Sequence, residues 1–114
     1  MAIVEKIICD YLTATVAPAY PEMPEEMPER LILVERTGGG ITNRLRNATI
    51  AIQSYAPTLF EAAELNEEVL TAMEQIVWDT HIGRAQLNSN YNYTDPTTKR
   101  YRYQAVYDVV YFEE

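Results

Sequence analysis

A stretch in the middle of the chain joins a strand pattern directly to a helix pattern, and this order constrains the fold more than any other feature. Ala48, Ile50 and Ile52 occupy every second position, so in a strand their side chains point to one face and those of the intervening residues to the other. This period of two is typical of a strand with one buried face. Thr58 and Glu61 then have the spacing of a capping box, which marks a helix N-terminus. The sequence therefore predicts a sheet covered by the helix that follows one of its strands.

From Thr58 to about Trp78, apolar residues recur at three- and four-residue spacings, and polar residues lie mostly on the other side. The apolar stripe contains Ala62, Ala63, Leu65, Val69, Leu70, Met73, Ile76 and Val77. The polar side contains Glu61, Glu64, Glu67, Glu68, Glu74 and Gln75. We expect a long amphipathic helix whose acids face solvent.

Two further elements are predicted before this stretch. Apolar spacing favours a short amphipathic helix over Ile3–Thr15. Four prolines in the segment 18–29 exclude a helix and a central strand, so we expect an extended connection with a short edge strand near Tyr20. The aliphatic run Arg30–Arg36 is then a strand that forms a hairpin with Arg44–Tyr55.

After the long helix, two alternating segments, Arg84–Thr94 and Thr98–Phe112, flank the turn residues Asp95 to Thr97 and predict a second hairpin. The whole chain, 1–114, is then one α+β domain. Two helices pack on one face of a mostly antiparallel four-stranded, possibly five-stranded, sheet in the order α-β-β-α-β-β. The strand order stays open, and the polar face away from the helices is either solvated or docked on another subunit.

Net charge and an aromatic-basic cluster bear on nucleic-acid binding. The chain has 17 acids against 9 bases, a formal charge of −8, whereas nonspecific binding needs Lys and Arg to displace counterions. Lys99–Tyr103 interleaves basic and aromatic residues, but in a strand the rings would point to the core and the Arg heads to the exterior. We expect no specific nucleic-acid partner.

The N-terminal residues and the single cysteine bear on the compartment. Glu5, Lys6 and Asp10 interrupt the apolar run that a signal peptide would need, and Cys9 has no second cysteine to pair with. No run approaches the ~20 apolar residues of a membrane span. The expectation is a protein made in a reducing cytoplasm, with no membrane partner.

The segment ERTGGGITNR holds three of the four glycines and first suggests a phosphate-binding loop. Such a loop needs a helix N-terminus after the glycines and a Lys-Ser or Lys-Thr pair, whereas here a second strand follows and that pair is missing. The better interpretation is a long, flexible hairpin loop over Gly38–Asn43 with Arg at both ends. We expect no cofactor here.

Candidates for catalysis or metal binding are few. His81 beside Asp79 could act as a base, but a surface or capping role fits it better. Cys9 has mostly apolar helix neighbours, which favours a buried inert thiol. One Cys and one His cannot build a zinc site from soft ligands, and the acids lack the spacing of a calcium loop. We therefore expect no enzymatic activity and no metal.

Opposite charges are segregated along the chain. The arginines lie almost wholly on predicted strands or their ends, while most Glu residues lie in the proline-rich segment and the long helix. A head-to-tail ring would bring the acidic surface of one subunit to the basic surface of the next. Self-association is the interaction that this pattern favours.

The order of these elements resembles a known group of proteins. The short helix, the proline-rich connection and the pieces RLILVERTGGG, ATIAIQSYAPTLFEAAELNEEV and YNYTDPTTKRYRYQAVYDV follow one another as in small tail-completion proteins of long-tailed phages and prophages, the tail terminator group. This resemblance covers nearly the whole chain. The most telling segments are Ile50–Ala56 running into Glu61–Leu65, and the late strand Arg100–Ala105.

The resemblance implies a noncatalytic structural role in the virion tail after synthesis in the bacterial host cytoplasm. Such proteins form a ring, commonly hexameric, that caps the tail tube and presents a surface for head attachment. The implied partners are further copies of this chain, the tail tube protein and a head-tail connector protein. By this analogy the assembly contacts are made by Arg36, Gly38, Gly39, Gly40, Arg44 and Arg46.

Two alternatives remain open. Head-tail joining proteins of similar size belong to the same group, and the sequence does not separate the two roles. A small cytoplasmic α+β ligand-binding or enzymatic domain is the competing class. It predicts a monomer or dimer with titratable residues facing inward, which the long helix does not show.

Overall fold

A computed structural model describes residues 3–42, 45–98 and 100–112. It contains two helices and five strands, in the order α1 (Val4–Thr15), β1 (Ala19–Tyr20), β2 (Leu31–Thr42), β3 (Leu45–Tyr55), α2 (Leu59–Asp79), β4 (Ile82–Asn92) and β5 (Arg102–Tyr111). The α+β class, the two helices and the α-β-β-α-β-β order are confirmed. The short strand expected near Tyr20 is β1, so the sheet has five strands.

The strands lie in the order β1-β2-β3-β5-β4. β1 runs parallel to β2, and the other neighbours are antiparallel. The β4–β5 hairpin is therefore present as expected, but β5 lies between its hairpin partner and β3. In consequence β3 and β5 share a ten-pair register centred on Ile50↔Tyr107 and Ala51↔Val106, and both are interior strands.

Both helices contribute to a single apolar core on one face of the sheet. Ile50 and Ile52 of β3 and Tyr107 of β5 are buried in it together with Ile8 of α1 and Leu65 of α2. α2 begins as the capping box predicts, since Thr58 Oγ1 accepts a hydrogen bond from the Glu61 backbone N–H at 3.2 Å. The apolar faces that the strand and helix periods predict therefore pack against each other, as one sheet layer and one helix layer.

The glycine triplet is part of a strand, which contradicts the predicted loop over Gly38–Asn43. β2 continues to Thr42, with Gly38 opposite Thr49 and Gly40 opposite Asn47, while Asn43 and Arg44 lie outside the described residues. Glycine is a poor strand former, but β3 supplies a complete row of partners on one side. Tertiary pairing therefore overrides the local preference, after a register shift between Arg36 and Gly38.

The second hairpin also departs from the prediction. β4 spans 82–92 rather than 84–94, and β5 begins at Arg102 rather than Thr98. A bulge between Leu87 and Ser89 reverses the alternation, so that Leu87 lies on the helix side, opposite Tyr107, and Tyr91 on the open side, opposite Gln104. The single uninterrupted alternation expected for this strand is therefore wrong.

The proline-rich segment covers one end of the sheet face that lies away from the helices, called here the open face. Leu31, Leu33 and Tyr55 form a second buried cluster there, and Tyr20 and Met23 pack against it. The segment is therefore more than the solvent-facing connection that its composition suggests. No segment that the structure describes covers the other end of the open face.

Candidate assembly surfaces

The structure brings together at one end of the sheet the candidate contact residues that it describes. Arg36 is exposed, and its Nε donates to the carbonyl of Gly38 at 3.2 Å. Arg46 is half-buried on β3 and lies opposite Ile41 on one side and Tyr111 on the other. We call this region, Arg36–Thr42 of β2 with Leu45–Thr49 of β3, the glycine end. Arg44 is not among the described residues.

Gly39 is required by the fold of this chain itself. Its φ is +151°, a conformation that L side chains rarely adopt. A Cβ there would overlap the carbonyl oxygen of Asn47 and would lie 2.5 Å from Nη2 of Arg36. No other residue fits this position without a shift of the strand.

Gly38 and Gly40 are different, because no residue that the structure describes requires them to be glycine. A Cβ on Gly38 would meet Oγ1 of Thr49 at 3.9 Å, and one on Gly40 would meet Oδ1 of Asn47 at 3.8 Å, both ordinary van der Waals separations. Neither has a positive φ. Since glycine weakens a strand, these two positions carry a cost that the fold does not explain.

The two unexplained glycines face the open side of the sheet, beside mostly polar side chains of β3, β4 and β5. Strand pairing aligns two rows across it, Gly40-Asn47-Val110-Arg84 and Gly38-Thr49-Asp108-Gln86. We call these two rows the glycine face. A shallow depression of about 210 Å³ is lined by residues of β3, β4 and β5 in both rows.

The outward side of α2 is the second candidate surface. Phe60 is 81 % exposed and Trp78 is 79 % exposed. They are separated by 18 residues, five turns, so they lie on the same line of the helix about 27 Å apart. Between them lie the exposed residues Glu64, Glu67, Thr71 and Glu74. We call these six residues the α2 outer face.

A buried polar network lies on the open face, next to the cluster of Leu31, Leu33 and Tyr55, and local sequence patterns do not predict it. Nε2 of Gln53 donates to Oε1 of Gln104 at 2.9 Å, and the Tyr55 hydroxyl donates to Oε1 of Gln53 at 3.0 Å. The Arg102 guanidinium donates to the Tyr55 oxygen at 2.6 Å and lies over the rings of Tyr55 and Tyr93. The expectation that Arg102 points outward is therefore only partly met.

The candidates for chemistry are not assembled into a site. Cys9 is buried in α1, where desolvation raises its thiol pKa to about 11. His81 is exposed just after α2. Within the described ranges, no group of three or more His, Cys, Asp or Glu side chains is placed to hold a metal ion. The same ranges contain no helix long and apolar enough to cross a membrane.

The sequence matches no protein-family model, and it matches no curated protein.

Proposed function

We propose that this chain is a noncatalytic structural protein of a phage or prophage tail. It forms a homo-oligomeric ring, hexameric by the resemblance, that caps the tail tube and contributes to head-tail joining. The observation that carries the proposal is the separation of opposite charges onto two different surfaces. The α2 outer face bears Glu64, Glu67 and Glu74, and the glycine end bears Arg36 and Arg46 on the helix side of the sheet.

Two complementary surfaces on one chain favour head-to-tail association. A contact between two different patches is heterologous, and repeating it generates a ring when the rotation closes. A chain of net charge −8 gains from such an arrangement only if the acids of one copy meet arginines of the next. Both surfaces are built on regular elements, which hold them in fixed geometry.

The proposed partners follow from the same role. Besides further copies of itself, the ring contacts the tail tube protein on one side and the head-tail connector protein on the other. The mature location is the virion tail, after synthesis in the host cytoplasm. Exposed aromatics such as Trp78 and Phe60 suit protein contacts, because Trp and other large aromatics are enriched in interface cores.

Deletion of the gene from its phage or prophage tests the role directly. We expect electron microscopy of the deletion lysate to show tails of uncontrolled length that fail to join heads, and complementation to restore normal particles. Tails of normal length joined to heads without the protein would disprove the role. Size-exclusion chromatography with light scattering tests the ring itself, because a strictly monomeric protein at high concentration contradicts it.

A further inference from the structure

We infer that the outer edge of β4 in one copy pairs with the free edge of β2 at the glycine end of a second copy, in antiparallel direction, so that the sheet continues from copy to copy. The inference rests on the proposed ring and names the two edges that form its repeating contact. Each copy has one edge of each kind, so the contact is heterologous and can repeat around a ring.

The outer edge of β4 is open to pairing over a short regular segment. β4 is the last strand in the order β1-β2-β3-β5-β4 and spans 11 residues. It contains no proline, lysine or acid, and its single charged residue is Arg84. Bulges protect an edge strand locally, and the two register shifts of β4 leave residues 84–87 between them in regular pairing with β5. This segment can therefore accept a further strand.

The second free edge belongs to β2. β1 pairs with β2 at Ile32 and Leu33, and no strand that the structure describes continues this pairing toward the glycine end. Residues 35–41 are all exposed, and residues 38–41 pair regularly with β3 on their inner side. A glycine inside a strand often marks a place where another backbone comes near, which accounts for the two glycines that the single chain leaves unexplained.

The two free segments lie at the same height in the sheet. The rows of the glycine face join Gly40 to Arg84 and Gly38 to Gln86 through β3 and β5. The strands β2, β3, β5 and β4 alternate in direction, so β4 runs opposite to β2. A second copy that continues the sheet sideways therefore places its β2 antiparallel to β4, with the same residues facing each other. β1 occupies the remaining β2 edge and confines the contact to the glycine end.

One side of α2 lies beside the β4 edge. Nδ2 of Asn66 donates to Oδ1 of Asn90 on β4 at 2.7 Å, so this side of the helix lies over β4. Leu70 and Glu74 follow Asn66 at spacings of four residues and lie along the same side. Since α2 runs toward the first residue of β4, Glu74 lies about 12 Å from Asn66 in the direction of Leu87.

Charge favours a second copy as the partner of the β4 edge. Arg36 lies in the same row as Leu87 on the helix side of the sheet, so Arg36 of the second copy is placed beside Glu74. Both side chains are exposed, and Arg36 forms no ion pair with a described carboxylate of its own chain. Neither residues 38–41 nor residues 84–87 include an acid, so two copies of a chain with charge −8 meet there without opposed carboxylates.

Engineered cysteines test which edges meet. Gly40→Cys and Arg84→Cys are made separately, because both positions are exposed and a Cβ on Gly40 has ordinary space. Facing positions of antiparallel strands are close enough for a disulfide. After mild oxidation, we expect an equimolar mixture to give a one-to-one cross-linked dimer, and each variant alone to give none. The unmodified protein is the control for the buried Cys9.

Tyr91→Cys is the matched control for Arg84→Cys. Tyr91 is also exposed on the open side of β4, but it lies near the other end of the strand, opposite Gln104. Mixed with Gly40→Cys it should give no cross-link, because the two positions are too far apart for a disulfide. Equal cross-linking would show random collision, and cross-linking of Arg84→Cys alone would show that β4 pairs with another β4. Either result overturns the inference.

Charge exchange tests the helix side of the contact. Arg36→Glu and Glu74→Arg should each weaken self-association at least about tenfold, because like charges then face each other. The double variant Arg36→Glu/Glu74→Arg should recover it, and Glu26→Arg, an exposed control in the proline-rich segment, should leave it intact. Circular dichroism establishes that each variant is folded before sedimentation. A double variant as weak as the single ones overturns the arrangement.

Hydrogen exchange measured by mass spectrometry tests the backbone pairing and separates this inference from the proposed function. Assembly should slow exchange in peptides that cover residues 38–41 and 84–87, because their outward amides become hydrogen-bonded. A ring in which neither edge gains protection overturns the inference and leaves the proposed function standing. Edges that cross-link as expected, in a protein whose deletion leaves tails of normal length joined to heads, support the inference and remove the proposed function. A monomeric wild-type protein removes both.

Discussion

At the scale of single residues, adjacent glycines in the triplet serve different purposes. Gly39 has a φ of +151° and faces the carbonyl of Asn47, while Gly38 has room for a side chain. We predict that Gly39→Ala lowers the free energy of unfolding by about 2 kcal/mol, because strain and overlap add. Urea unfolding of the monomer measures it.

Gly38→Ala is the matched control for that prediction. Alanine restricts the unfolded chain and fits the space in the folded one, so stability should rise by about 0.5 kcal/mol or stay level. Equal losses at the two positions would show that φ and the Asn47 contact do not distinguish them.

The reactivity of the Cys9 thiol is the subject of a second prediction at the residue scale. Burial raises its thiol pKa to about 11, so at pH 8 the folded protein holds the unreactive thiol form. Alkylation by iodoacetamide, followed by mass spectrometry, should be slow in buffer and complete in urea. Fast labelling of the folded protein would contradict the buried position.

The raised pKa of Cys9 also determines how its contribution to stability changes with pH. The thiol ionises near its ordinary value of 9.0 in the unfolded chain and near 11 in the folded chain. The unfolded state therefore loses its proton first, and the contribution of Cys9 to stability falls as the pH rises from about 9 to about 11.

At the scale of elements, the buried glutamine pair gives a test of how β3 and β5 are joined. Gln53 is 6 % and Gln104 is 8 % exposed, and they are hydrogen-bonded to each other. Gln104→Leu should cost about 2 kcal/mol, because the Gln53 amide loses its acceptor in a buried position. Unfolding in urea measures the loss.

The double variant Gln53→Leu/Gln104→Leu should cost less than the sum of the two single variants, since neither amide is then left alone. Additive losses would mean that the two side chains act independently.

How much the sequence predicts also differs between elements. The start of α2 is predictable because Thr58 and Glu61 form the cap locally. The extent of β2 is not, because pairing with β3 holds glycines in a strand that their propensity disfavours. Gln53 and Gln104 are polar residues in strands, a pattern that suggests exposure, and only the neighbouring Arg102 and tyrosines make their burial possible.

For the candidate assembly surfaces, the sequence indicates which residues lie near one another but not how they are arranged. It groups Arg36, the glycines and Arg46 as a loop, and in the structure they lie near one another on paired strands. Local sequence patterns do not indicate the α2 outer face, because Phe60 and Trp78 lie far apart in the sequence and share a face only through the helix repeat. No local sequence pattern indicates that strands far apart in the chain contribute to the same open face.

At the scale of the whole molecule, the charge separation predicts how assembly responds to salt. Raising the ionic strength from 0.1 M to 1 M shortens the screening length from about 10 Å to about 3 Å. If Glu64 and Glu67 meet arginines of the next copy, association should weaken at least about tenfold over this range. Sedimentation velocity at several salt concentrations measures it. Unchanged association would indicate an apolar, tyrosine-based interface instead.

The place of β5 in the middle of the sheet has a consequence for synthesis on the ribosome. β3 and β4 both rest against a strand that follows them in the chain, and Gln53 and Gln104 are 51 residues apart. A nascent chain that ends before Arg102 has β2, β3 and α2 but lacks the strand that joins β3 to β4. The domain can therefore complete its sheet only after β5 has left the exit tunnel, and until then the β3 edge is exposed to other chains.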